Sequence, residues 1–131
     1  MIQTGLEETA QETVTPDMTA ADMGSGDVPV LATPAVVALV ERVAVAAVAG
    51  ALEPGSTTVG ARVEVDHLAP TPVGALVSAT ARLETVEGRR LRFTFEVSDP
   101  AGEVARGTHI RVLVNRDAFL EAARSRGDQP R

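Results

Sequence analysis

A carboxylate inside an otherwise apolar run is the residue of this sequence best suited to acid–base or nucleophilic work. Glu41 occupies that position in VVALVERVAVAA. An unpaired carboxylate in a dry setting is costly, so burial there demands donors or a raised pKa. The alternative is an exposed ion pair with the adjacent Arg42, which would do no chemistry. Thr33 precedes Glu41 by eight residues. On a helix that separation is about 12 Å of rise and about 80° of rotation beyond two full turns, so both fall on one broad face at different heights. Thr33 also suits an ordinary helix cap through its hydroxyl. The same place puts a hydroxyl near free amide groups, where a developing oxyanion is stabilised. His67 completes the set. It is in phase with Val59, Ala61, Val63 and Val65 and so should face the helix from the end of its strand, either as a structural histidine or as a proton carrier. His109 alternates with Arg111 against Thr108, Ile110 and Val112, so both are expected to point away from the core.

Several chemistries are excluded by composition. The chain of 131 residues has no Cys and no Lys, and all 12 of its basic residues are Arg. Thiol nucleophiles, disulfides, cysteine-bound metal and Schiff-base lysines are therefore ruled out. No Cys/His/Asp/Glu cluster has metal-ligand spacing, and neither a glycine-rich phosphate loop nor a serine elbow is present. With 18 acidic residues the net charge is −6. Six of the acids (Glu7, Glu8, Glu12, Asp17, Asp22, Asp27) fall within residues 1–40, which hold no Arg. Such a leader repels phosphate backbones, and nucleic acid is not an expected partner. The first residues carry no basic or apolar signal region, and Glu41 and Arg42 spoil the most apolar stretch as a membrane span. A cytoplasmic protein without membrane contact is the expectation.

The elements that must hold these residues follow from periodicity. TPAVVALVERVAVAAVAGALEPG reads as one long helix, with Pro34 at its first turn and Gly50 then Pro54-Gly55 as stop signals. It is apolar nearly all round, as a buried helix is. From residue 56 the period becomes two, through TTVGARVEVDHLA, ALVSATARLETV, RRLRFTFEVS and EVARGTHIRVLVN. Glu87-Gly88 and Asp99-Pro100-Ala101-Gly102 read as hairpin turns. A further short strand is expected at about Glu7–Val14. One long helix beside a meander of antiparallel strands is an α+β pattern whose economical packing is the hotdog fold, a curved antiparallel sheet wrapped around one long central helix. Its open edges point to a homodimer, or a higher assembly of such dimers. The expected organisation is an acidic leader at 1–29 containing the first strand and a short lid loop, a hotdog domain at 30–120, and a frayed tail at 121–131.

LATPAVVALVE, LEPGSTTVGARVEVDHLAPTPVG, LETVEGRR and RGTHIRVLV together resemble the fluoroacetyl-CoA thioesterase family of hotdog enzymes, from about Val30 to Phe119. The resemblance implies hydrolysis of a short acyl-CoA thioester to free acid and CoA, with Thr33, Glu41 and His67 as the catalytic set. It also implies Gly60 and Arg111 beside the substrate, and no metal or separate cofactor. Placing Arg111 there requires a strand bulge or a partner subunit, since plain alternation turns it outward. Where that family carries a phenylalanine-bearing lid, this chain has MGSGDVPVLA, so selectivity for a fluorinated acyl group is not implied. A hotdog hydratase or dehydratase, and a non-catalytic dimer that binds acyl-CoA or another small ligand, share the same fold and pocket.

Overall fold

Alternating apolar and polar residues in four consecutive segments make a sheet with one face for a core and one for solvent. A computed structural model describes residues 2–129. Five strands, β1 (Glu7–Thr13), β2 (Ser56–His67), β3 (Leu76–Glu87), β4 (Arg90–Asp99) and β5 (Gly102–Asn115), form one antiparallel sheet in the order β1-β3-β4-β5-β2. Among the described residues a 3-10 turn at Pro16–Met18 and three α-helices accompany it: α1 (Ala20–Met23), α2 (Thr33–Ala49) and α3 (Arg116–Gly127). Both expected hairpins are present, with Gly88 at φ +61° and Gly102 at φ +134°, conformations open to glycine.

Helix α2 lies on the face lined by Val77, Ala79, Ala81 and Leu83 of β3 and by Leu91, Phe93, Phe95 and Val97 of β4, all buried. Its own buried side is Ala35, Val36, Leu39, Val40, Val43, Ala44 and Val48. The small Ala and Val side chains let the helix sit close against the sheet. This is the expected hotdog arrangement, but the helix is not enclosed on all sides. It packs chiefly on β3 and β1, and a stripe of Pro34, Ala38 and Val45 remains exposed, with Glu41 half-buried within it.

The acidic N-terminal segment is tied into the domain. Strand β1 pairs with β3 from Glu7–Arg82 to Thr13–Leu76, and Val14 joins the core. Arg42 reaches across to Glu12. The loop that follows crosses under the start of α2 through bridges Thr19–Leu31 and Val30–Pro72. At the other end, where a frayed tail was expected from residue 121, α3 continues to Gly127. Asn115 caps it by accepting from the Ala118 amide at 2.9 Å, and Arg124 pairs with Glu121 within the helix.

Three single-residue bulges interrupt the ladders: Glu84 is extra in β3 opposite β4, and the other two control which residues of β2 and β5 reach the helix side. In the β4–β5 ladder Ser98 pairs with Glu103 but Val97 pairs with Ala105, so Val104 is the extra residue. In the β2–β5 ladder Gly60 pairs with Arg111 and Arg62 with Ile110, which leaves Ala61 as the extra one. An inserted residue exchanges the two faces for everything beyond it. Ala105, Gly107, His109 and Arg111 consequently share the helix-facing side with Val97, Phe95, Phe93 and Leu91.

Candidate active site

Thr33 and His67 meet directly. The expected capping role passes to Ala32, whose extended backbone (φ −78°, ψ 146°) precedes the helix without a side-chain cap, and Thr33 becomes the first helical residue. Its hydroxyl is then free, and Oγ1 lies 2.7 Å from Nδ1 of His67 in a hydrogen bond. As expected, His67 shares the helix-facing side with Val63 and Val65, which pack against the core. Val59 and Ala61 do not, because the bulge intervenes, and Thr58 and Gly60 take their place. The second ring nitrogen of His67, Nε2, is buried and has no protein partner among the described residues. A buried ring nitrogen of that kind is available to a ligand group or a water as its hydrogen-bond partner.

Glu41 belongs to a second cluster. One residue of helix turns the direction by about 100°, so Glu41 and Arg42 do not pair with each other: Arg42 goes to Glu12, and Glu41 faces Arg111. Nη1 of Arg111 is 3.4 Å from Oε2 of Glu41. The Arg111 side chain is 7% exposed and the Glu41 side chain 40%, so the cation is the embedded partner and the anion the accessible one. Gly60 makes room for the carboxylate. A methyl group there would stand 2.5 Å from Oε2 of Glu41.

His109 and Arg111 were expected to face outward; both face the helix and are buried, at 0% and 6% exposure. The Val104 bulge is the reason. Arg111 is held by its Nε to Oγ1 of Thr58 at 2.9 Å, by Nη2 to the Thr58 carbonyl at 3.0 Å, and by Nη1 to Nε2 of His109 at 3.2 Å. Burial lowers the Arg111 pKa, opposed by the charge and the hydrogen bond of Glu41. Sequence reasoning did not single out Thr58, and it turned His109 the wrong way. A signal was present: Ala105, Gly107, His109 and Arg111 share one parity, and two small residues in a strand suit a crowded inner face.

The two clusters are not in mutual contact. They occupy one side of α2, with Thr33 and Glu41 about 12 Å apart along the helix axis, and both lie beneath β2, the strand at the sheet edge. A depression of about 900 Å³ on the opposite face, lined among others by Arg82, Thr94, Glu96 and Arg106, contains none of these residues. No group of metal-ligating side chains occurs among the described residues, and no helix among them is long and apolar enough to cross a membrane.

Known proteins are similar to this chain in both sequence and shape. The pattern of the fluoroacetyl-CoA-specific thioesterase family matches residues 14–117. A fluoroacetyl-CoA thioesterase of Streptantibioticus cattleyicolor is 39% identical over 97 residues, covering 74% of this chain and 70% of that protein. A crystal structure of a singly substituted fluoroacetyl-CoA-specific thioesterase, in complex with fluoroacetate and CoA, superposes with TM-score 0.85 at 34% identity, over 90% of this chain and 99% of that one. A hot-dog-like protein from Thermanaerovibrio acidaminovorans superposes with TM-score 0.90 at 27% identity, over 99% and 96% of the two chains. With a hotdog sheet, a threonine–histidine pair at the head of its long helix and a carboxylate–arginine pair further along, this chain belongs to the fluoroacetyl-CoA-specific thioesterase family.

Proposed function

We propose that this chain hydrolyses the thioester of a short-chain acyl-CoA. The observation that carries this reading is the Thr33–His67 hydrogen bond, which takes a hydroxyl away from helix capping and leaves a buried ring nitrogen without a partner. Water adds to the thioester carbonyl and the C–S bond breaks, giving the free acid and CoA thiol. Glu41 takes the proton of the attacking water, or itself attacks the carbonyl and expels the thiolate, forming an acyl–glutamyl anhydride that water then hydrolyses to the free acid and the restored carboxylate. His67, oriented by Thr33, delivers a proton to the departing thiolate; since Thr33 and Glu41 stand about 12 Å apart on one helix, the Glu41 and His67 that serve one thioester come from different subunits facing a shared cleft. Arg111 holds the Glu41 carboxylate and lies beside the acyl group. The Gly60 backbone, which lies beside Glu41, stabilises the oxyanion. Water is the only co-reactant, so neither a metal nor a cofactor is required. A reducing compartment such as the cytoplasm suits a chain without cysteine.

The direct test is release of free thiol from acetyl-, fluoroacetyl-, propionyl- and longer acyl-CoA esters, followed together with free acid. Equal amounts of thiol and acid, with turnover falling as the acyl chain lengthens, are expected. Absence of thiol release across the set would sink the reading and leave a binding protein, while a change at the α,β bond of an enoyl-CoA without thiol release would make it a hydratase.

The same reading includes a second copy of the chain. Strand β2 runs for 12 residues at the sheet edge, and beside it α2 exposes Pro34, Ala38 and Val45. A long unpaired edge next to an apolar stripe invites pairing, and edge-to-edge association of two copies would cover both and close the cleft over Glu41 and His67. Sedimentation at twice the mass of one chain, or a multiple of it, is expected. A single-chain mass at micromolar concentration would overturn the dimer.

A further inference from the structure

We infer that His109 is a positioning residue that works as a neutral hydrogen-bond acceptor, holding the Arg111 guanidinium against the Glu41 carboxylate. The inference rests on the reading of Glu41 as the reacting carboxylate. Its basis is the assignment of every proton around the ring. Nδ1 of His109 lies 2.8 Å from the backbone carbonyl of Arg62. A carbonyl only accepts, so Nδ1 carries a hydrogen. Nε2 lies 3.2 Å from Nη1 of Arg111. A guanidinium only donates, so Nε2 must offer its lone pair and the ring must be neutral. Both contacts require the same tautomer, and the ring cannot gain a proton without losing one of them.

The rest of the surroundings agree. His109 is fully buried, with Phe93 of β4 at a ring-centroid distance of 6.1 Å. Its charged neighbours are Arg111 on its own strand and Glu41 on α2, and from β2 it meets the Arg62 carbonyl. Burial, the largest influence, lowers its pKa below the ordinary 6.5, and Arg111 lowers it further; the Arg62 carbonyl and Glu41 oppose the shift. Protonation at low pH would therefore remove the acceptor and set an imidazolium against the guanidinium. Arg111 would then be displaced from Glu41, and turnover should fall as pH drops through the His109 pKa. Thr58 holds the other side of the guanidinium, so His109 and Thr58 act on Arg111 from opposite sides, and neither needs to touch substrate.

The full chain allows a direct test because it has only 2 histidines. Long-range 1H–15N spectra should therefore show two ring systems, assigned with His109→Gln. The expected result at pH 8 is a neutral His109 ring with hydrogen on Nδ1, the less common tautomer. Acetyl-CoA hydrolysis supplies the functional readout. His109→Leu, which has no acceptor, should lower kcat on the order of 10- to 100-fold through misplacement of the guanidinium, with KM changed little. His109→Gln can put an amide oxygen in place of Nε2; it should recover most of that loss and remove one ionisation from the acidic side of the pH–rate profile. Hydrogen on Nε2, a charged ring at pH 8, or His109→Leu with unchanged kcat and profile would each overturn the inference. If His109→Leu does not fold, an unchanged acidic limb in His109→Gln overturns it instead. If no acyl-CoA is hydrolysed by the unsubstituted chain, the catalytic reading fails, while the tautomer still reports on His109 by itself.

Discussion

Glu41→Gln should lower kcat for acyl-CoA hydrolysis by about 10²- to 10⁴-fold, the range of a lost general base, and leave the fold intact. The amide has the shape of the carboxylate but can neither take a proton from water nor attack a carbonyl. Stability should be preserved because the Glu41 side chain is 40% exposed and its contact with Arg111 is only one of that residue's hydrogen bonds. Steady-state kinetics beside a thermal melt checks both halves. A rate near that of the unsubstituted chain would remove Glu41 from the reaction. Gly60→Ala is the companion measurement. Its new methyl group would stand 2.5 Å from Oε2 of Glu41, and the carboxylate, at the end of a flexible side chain, can swing away. Turnover should therefore drop with little loss of stability, because Gly60 lies in a strand without positive φ.

His67→Ala should cost about 10²-fold or more in kcat, through loss of proton delivery to the leaving thiolate. Thr33→Ala should cost less, since it removes the group that orients the ring rather than the ring. In the double variant the two effects should fall well short of multiplying, because a residue that acts through its partner has nothing left to orient once the partner is gone. A double variant showing the full product of the two losses would mean that Thr33 and His67 act separately and that their 2.7 Å hydrogen bond has no catalytic meaning. Thr33→Ala should barely change stability. Ala32, not Thr33, stands at the cap position and makes no side-chain cap bond.

The elements themselves were legible because their determinants are local. A run of Ala, Val and Leu bounded by a proline and by glycines makes α2, and alternation with turn residues between segments makes β2 to β5. The candidates proposed as reacting groups could also be picked out, since a lone carboxylate in an apolar helix needs a reason to be there. The length of α3 was not read correctly: its first turn is capped by Asn115, yet it buries none of its residues, so the hydrophobic periodicity that marks other helices is missing.

The direction in which side chains point was a tertiary decision. Period-two alternation tells which residues share a face only while the ladder is unbroken. Val104 and Ala61 each insert one residue, and neither position is marked by its own sequence; pairing with β4 and β5 selects it. That is why His109 and Arg111 lie inside although alternation alone turns them outward, and why Gly60 rather than Ala61 faces Glu41. The chain by itself determined that a hydroxyl, a carboxylate and an imidazole would be presented near one long helix. Only the folded sheet decided that Thr33 would bond His67, and that Glu41 would face an arginine embedded between Thr58 and His109. Contacts of that kind depend on the register of strands far apart in sequence, and no local pattern encodes it.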